Sequence, residues 1–276
     1  APLAAFRATS ADSMVRVGAA FVLFCLVSSA IYLINDLVDI EADRHHLRKR
    51  NRPLASGKLS PIVAQVVAVL ILGVMVPVAI FLGVTYTFGI LVIAYVINSL
   101  LYDFFFKHIV LVDLFSLSAG FVIRVMAGAV VIGVSISPWL YLVTILAALF
   151  IGVNKRRHEL VLLEHGAGKH RPILDEYSPE LLDQLTSALT AALIIAYSLY
   201  TWQGETVSRK NNLMMATIPF AIFAIFRYLY LIFQKDEGGA PEELLTRDKW
   251  LIACVLLWGL SAVVILYFFG NVEIHL

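Results

Sequence analysis

Eight separate runs of this chain are apolar over lengths that span a bilayer, and that repetition constrains the fold more than anything else in it. A helix needs roughly 20 apolar residues to cross the hydrocarbon core, where the backbone must also satisfy its own polar groups. Qualifying runs fall at 14–35, 62–84, 88–105, 111–133, 138–154, 180–201, 212–234 and 249–269. Two connections are tight, 85–87 and 135–138, and the longer ones carry nearly all of the charge. With 60% hydrophobic and only 15% charged residues, a soluble globular domain is excluded. The expected architecture is all-α, a polytopic membrane helix bundle. Cys25 and Cys254 each lie inside an apolar run and read as small core residues. The opening A-P-L-A-A-F lacks the basic n-region of a secretory leader and reads as the tail of a helix.

The net charge of +1 says little, but its distribution says much. If the runs alternate in direction, loops 36–61, 106–110, 155–179 and 235–248 share one side. They hold Arg44, Arg48, Lys49, Arg50, Arg52, Lys58, Lys107, Lys155, Arg156, Arg157, Lys169, Arg171, Lys235 and Arg247. The other side has Arg7, Arg16, Arg209 and Lys210. The positive-inside rule then puts the charged loops in the cytoplasm of a cell-membrane protein. The basic residues are accounted for as membrane-loop residues, so no nucleic-acid partner is expected. No phosphate-binding glycine loop, G-x-G-x-x-G, H-E-x-x-H or G-x-S-x-G motif is present.

The first charged loop begins I-N-D-L-V-D-I-E-A-D-R, and Asn35, Asp36, Asp39 and Asp43 recur at three- and four-residue steps. On a continuing helix they share one face. Unneutralised carboxylates stacked this way repel, so the pattern asks for a positive centre between them. Oxygen ligands from a few carboxylates plus a phosphate suit Mg²⁺. Arg44, Arg48, Lys49, Arg50 and Arg52 follow at once and can hold the anionic parts of the same ligand.

Three further segments bring polar groups to the same side. Tyr102, Asp103, Lys107, His108 and Asp113 mark a helix–loop–helix corner. Lys155, Arg156 and Glu159 fall within about one turn at the end of the fifth run, as a phosphate site or an interfacial anchor. The segment Q-K-D-E-G-G-A-P-E-E reads as a turn through Gly238 and Gly239 into a helix start at Pro241, with Arg227 just before it as a snorkelling cation. Arg124 is different, because it lies mid-span and needs a partner in the bundle interior. Asp113, 11 residues and about three turns earlier, points to the same side, so an ion pair is expected. His45, His46, His158, His165 and His170 lack zinc-ligand spacing and read as polar loop residues.

The N-D-x-x-D-x-x-x-D run at 35–43 resembles the first aspartate-rich motif of the UbiA family of intramembrane prenyltransferases, and the span pattern extends the likeness over essentially the whole chain. The resemblance implies one transmembrane domain over 1–276, nine helices around a central cavity open to the cytoplasm, and carboxylates that bind Mg²⁺ and a diphosphate. Eight spans are visible, and the family's first helix is expected to precede residue 1. Family members carry a second aspartate-rich motif at a later helix end, where this chain reads N-K-R-R-H-E-L at 154–160. With K-R-N-R-P-L-A at 49–55, Y-D-F-F-F-K-H at 102–108 and S-A-G-F-V-I-R-V-M-A-G at 118–128, this is similar to the decaprenyl-phosphate phosphoribosyltransferase branch.

That branch moves 5-phosphoribosyl from phosphoribosyl pyrophosphate to a polyprenyl phosphate, toward cell-wall arabinan precursors. The resemblance makes Asn35, Asp36, Asp39 and Asp43 the metal–diphosphate ligands, with Lys49, Arg50 and Arg52 on donor phosphates. Tyr102, Lys107, Arg124, Lys155, Arg156 and Glu159 then complete the substrate contacts. The acceptor phosphate is already ionised, so positioning and charge stabilisation suffice without a general base. Two rivals stay open. One is a prenyltransferase moving a polyprenyl group from its diphosphate to an aromatic or isoprenoid acceptor. The other is a membrane transporter using Arg124 as a counter-charge, against which stands the position of the acids at a helix end.

Overall fold

The computed structural model describes residues 11–45, 49–81, 86–164, 172–203, 212–235, 244 and 246–268. Most of the described residues are helical, with no strand among them. Eight helices are long and apolar enough to cross a membrane, and the protein is a multi-pass membrane protein. Fifteen of the sixteen expected span boundaries fall within three residues of the observed ones, because apolar length alone sets them; charge decides the exception, described below. Arg48, His46, the segment 165–171 and the turn at Gly238, Gly239 and Pro241 lie outside the described residues, as do 82–85 and Phe269.

The helices group into two compact units. The first to be described comprises α1 (Ala11–Val38), α2 (Ile40–His45), α3 (Pro61–Phe81), α4 (Tyr86–Phe104) and α5 (Val112–Ile132), with the segment 162–177. Helix α1 packs on α3, α4 and α5, and its inward stripe of Leu23, Val27 and Ile31 meets Ala79, Phe88, Val92, Tyr95, Ala127 and Val131. That stripe repeats at four-residue steps, which is what a helix needs to keep one face inward. Helices α3 and α4 approach closely at Gly89, where an added Cβ would lie 2.9 Å from the Ile80 Cα. Two hydrogen bonds join α4 to α5: Asn98 Nδ2 donates to the Ser116 carbonyl at 3.0 Å, and Ser116 Oγ donates to Asn98 Oδ1 at 3.1 Å.

The second unit comprises α6 (Pro138–Glu164) as far as Val161, α7 (Pro179–Gln203), α8 (Ile218–Lys235) and α9 (Lys249–Phe268). Phe150, Leu193, Tyr228, Leu231, Ile232, Leu244 and Leu251 form its core. Pro219 stands in the first turn of α8, where its missing N–H is tolerated. Asp248 caps α9, accepting from Leu251 N at 2.8 Å, and takes both Nε and Nη2 of Arg227 at 3.2 and 2.7 Å. Arg227 is therefore fixed by a carboxylate and does not simply snorkel. The same interactions hold the Asp248 carboxyl below the usual carboxylate range, the Arg227 hydrogen bond first among them.

One expected boundary is corrected. The fifth run was set at 138–154, but α6 continues to Glu164 and its membrane-spanning part to Val161. The added residues, K-R-R-H-E-L-V, are mostly good helix formers, and Arg156 and Glu159 close an i,i+3 pair that supports the extra turn. Lys155, Arg156 and Glu159 thus stand on a helix and not in the loop 155–179.

Candidate active site at the end of the first helix

The helix does continue through the aspartates. Asp39 N donates to the Asn35 carbonyl at 2.9 Å and Asp43 N to that of Asp39 at 2.8 Å, so the i→i−4 ladder runs across the junction of α1 and α2. Asn35, Asp36, Asp39 and Asp43 consequently share a face. Three carboxylates near the negative end of a helix repel one another and the helix dipole together. The chain answers with cations from two turns. Arg52, just after the 3₁₀ turn Lys49–Asn51, places a single atom, Nη1, at 2.6 Å from Asp36 Oδ1 and 2.8 Å from Asp43 Oδ2. Lys49 Nζ approaches Asp43 Oδ1 at 3.9 Å. Lys107, in the turn Phe106–His108 after α4, donates to Asp39 Oδ1 at 2.5 Å. Asn35 Nδ2 donates to Asp103 Oδ1 at 2.6 Å, joining α1 to the end of α4.

Burial grades across this cluster. Asp43, Asp103 and Lys107 are buried, the Asp36 side chain is 21% exposed, and that of Arg52 is 37% exposed. Arg52 therefore closes the cluster from its most open side. Arg50 is exposed, Tyr102 half-buried, and Arg44 pairs with exposed Glu41 away from the cluster.

The turn that carries Lys107 is braced from a distance. Leu111 has φ +65° and ψ −36°, an uncommon backbone for a branched residue, directly before α5. Its N–H donates to Tyr177 Oη at 2.8 Å, and Tyr177 Oη in turn donates to fully buried Asp113 at 3.0 Å. The expected Arg124–Asp113 ion pair is therefore not formed. Eleven residues of helix separate their Cα atoms by about 16 Å, beyond the reach of two side chains. Sharing a face is not sharing a contact.

Arg124 instead donates from Nη2 to Tyr95 Oη at 2.5 Å and stacks over the Tyr95 and Phe121 rings, 4.8 and 5.5 Å from their centroids. Tyr95 Oη also shares a hydrogen bond with Ser28 Oγ at 3.2 Å, in which either hydroxyl can donate. This chain of polar groups borders a cavity of 580 Å³ among Phe21, Phe24, Ser28, Phe88, Arg124 and Val131. The volume is in the range of small-molecule sites. Ser28 lies two turns before Asp36 on α1, about 12 Å along the axis, so Arg124 serves a deeper place than the carboxylates. Tyr95 was missed in the sequence because a tyrosine in an apolar run gives no sign of the arginine it faces.

In the other unit, Arg156 is buried and donates to Glu159 Oε2 at 2.7 Å, whereas Lys155 is exposed. Arg157, not singled out from the sequence, pairs with Asp183 of α7 and stacks on Phe233 of α8 at 4.1 Å. Fully buried Asn154 donates to the Phe150 carbonyl at 2.7 Å and accepts from Thr186.

As to a metal, no three carboxylate, histidine or cysteine side chains among the described residues stand close enough to share one ion. The donor set nonetheless fits Mg²⁺. Two carboxylate oxygens already converge on one positive atom, Arg52 Nη1, and hard oxygen ligands are what that ion takes.

Residues 1–154 match the UbiA prenyltransferase family. This chain belongs to that family. This UbiA-family protein is 34% identical over 273 residues to a decaprenyl-phosphate phosphoribosyltransferase of Corynebacterium glutamicum, covering 96% of this chain and 82% of that one. It is 35% identical over 263 residues to a decaprenyl-phosphate phosphoribosyltransferase of Mycolicibacterium smegmatis, covering 90% and 79%. The structure of a UbiA homolog from Archaeoglobus fulgidus bound to GPP and Mg²⁺ is similar with a TM-score of 0.69 at 18% identity, over 90% of this chain and 87% of that one. The last likeness shows a common fold. The family match ends at residue 154, and the residues that follow read K-R-R-H-E.

Proposed function

We propose that this UbiA-family protein transfers 5-phosphoribosyl from phosphoribosyl pyrophosphate to a polyprenyl phosphate such as decaprenyl phosphate. The observation that carries the reading is the likeness, over nearly the whole chain, to two decaprenyl-phosphate phosphoribosyltransferases. The basic end of α6 supports it, since a donor with a second phosphate needs cations where an isoprenyl diphosphate does not. In this reading the C1–O bond of the donor breaks, pyrophosphate leaves, and an oxygen of the polyprenyl phosphate takes its place on C1.

Asn35, Asp36, Asp39 and Asp43 would hold Mg²⁺, which when bound offsets the charge of the departing diphosphate. Lys49, Arg50 and Arg52 hold donor phosphates, Arg52 as a fork and Lys49 as a point charge. Lys107, Tyr102 and Arg124 hold or orient the remaining groups, and Lys155, Arg156 and Glu159 are assigned to substrate groups from the sequence resemblance. The acceptor enters as an anion, so the site has no proton to remove and works by orientation and charge. The lysine and arginine count on the charged loops supports a site facing the cytoplasm of the plasma membrane.

The test is transfer in detergent with Mg²⁺ and decaprenyl phosphate, comparing labelled phosphoribosyl pyrophosphate with labelled polyprenyl diphosphate plus 4-hydroxybenzoate. Label from the first donor in the lipid phase, abolished by EDTA, is the expected result. Label from the second donor alone would return the protein to the prenyltransferases.

A further inference from the structure

We propose that Arg52 is a built-in counter-ion standing where the metal will sit, so that metal and diphosphate load together rather than metal first. The proposal rests on the metal–diphosphate reading above and adds an order of binding to it. Its basis is one atom. Arg52 Nη1 touches a carboxylate oxygen of Asp36 and one of Asp43 at 2.6 and 2.8 Å, so it occupies the place between the two acids where an ion shared by those oxygens would sit.

Each carboxylate of this face is already paired. Asp36, Asp39 and Asp43 meet Arg52, Lys107 and Lys49. A divalent ion entering this paired group alone meets the guanidinium in its seat and must expel it without giving it a new partner. A diphosphate arriving with the ion changes that balance, because its oxygens accept the displaced fork in the bidentate manner guanidinium favours. Each ligand then relieves the cost of the other, which is positive coupling between them.

The three cations differ in freedom to make this move. Lys107 is 6% exposed and holds Asp39 from within, whereas the Arg52 side chain is 37% exposed and comes from an open turn. Lys49 Nζ stands 3.9 Å from Asp43 Oδ1, too long to compete for the seat. Among the described residues, Arg52 alone spans two carboxylates from the solvent side. The assignment also explains why a loop arginine is spent on the acids at all: the helix cannot keep them together without a cation during the interval between ligands.

The experiment is Mn²⁺ binding to the detergent-solubilised full chain, followed by electron paramagnetic resonance, with and without inorganic pyrophosphate. Wild type should bind Mn²⁺ weakly alone and at least about tenfold more tightly with pyrophosphate, within the usual range of coupling. Arg52→Gln should bind Mn²⁺ alone several-fold more tightly than wild type and lose most of the pyrophosphate enhancement. Arg52→Lys, which keeps the charge but not the fork, should fall between the two and covers the case in which the glutamine variant does not fold. Mn²⁺ affinity in Arg52→Gln or Arg52→Lys equal to or below that of wild type, without pyrophosphate, overturns the proposal. The metal reading itself fails separately, if Asp36→Asn binds Mn²⁺ as wild type does in the presence of pyrophosphate.

Discussion

Two helix ends of this protein handle charge in opposite ways. At the end of α1 the acids are on the helix, and the cations that answer them come from turns at 49–52 and 106–108. At the end of α6 the cations are on the helix, and the acids that answer them are Glu159 one turn on and Asp183 of α7. The difference in burial is as large as the difference in sign. Arg52 has a side chain 37% exposed, against 3% for Arg156. A cation held from the solvent side can change partners at modest cost, whereas a buried pair is expensive to break. Arg52 is placed for exchange and Arg156 for fixed shape.

Replacing one acid at the first end should have the largest effect. Asp36→Asn should lower phosphoribosyl transfer about a thousandfold, as loss of a charge-stabilising group in an active site does, while helicity and the size-exclusion profile stay as in wild type. Turnover like that of wild type would remove the α1 acids from the site. Next comes the buried cation. Lys107→Met strands Asp39 and should destabilise the protein by about 3 kcal/mol, measured as chemical denaturation in detergent. Adding Asp39→Asn should restore most of that loss, and a double variant no more stable than the single one would show that Lys107 acts through something other than Asp39.

The second end supplies a finer contrast. Arg156→Ala should weaken both folding and transfer, because it removes the hydrogen bond that Arg156 donates to Glu159 at 2.7 Å. Exposed Lys155→Ala should leave the unfolding midpoint as in wild type and lower transfer alone, by about tenfold, as loss of one charge-assisted phosphate contact does. Equal effects from the two would mean that burial does not separate their roles.

The smallest effect is expected at Asp248. Its carboxyl is held below its ordinary range chiefly by Arg227, so the charged form is favoured in the folded protein. The stability this adds is complete above the unfolded carboxylate value of about 4. It fades as the pH falls through the lower folded value. The stability gap between wild type and Asp248→Asn should therefore shrink between pH 5 and pH 2, read from unfolding midpoints. A gap independent of pH would leave only the helix cap, which asparagine can also supply.

The spans were legible because apolar length is a one-dimensional property. The end of α6 was not, since charged residues that form a good helix look like a loop to a hydropathy reading. Within the site, the aspartate face could be read from spacing alone because it lies on one helix. The partners could not, because Asp103, Lys107 and Arg52 reach it from 9 to 68 residues away. Arg124 shows the limit most sharply. Its need for a partner follows from its depth, but the partner is a tyrosine on α4 and not the acid on its own helix.

That tyrosine also bears on how the chain enters the bilayer. An arginine at the centre of a lone helix costs about 2.5–3.5 kcal/mol to insert. Helix α5 does not have to meet that cost alone, because Tyr95 and Asn98 belong to the helix made just before it. Synthesis delivers α4 first and holds its hydroxyl and amide ready. The two helices are thus suited to leave the insertion machinery as a pair, with the arginine already hydrogen-bonded when lipid first surrounds it.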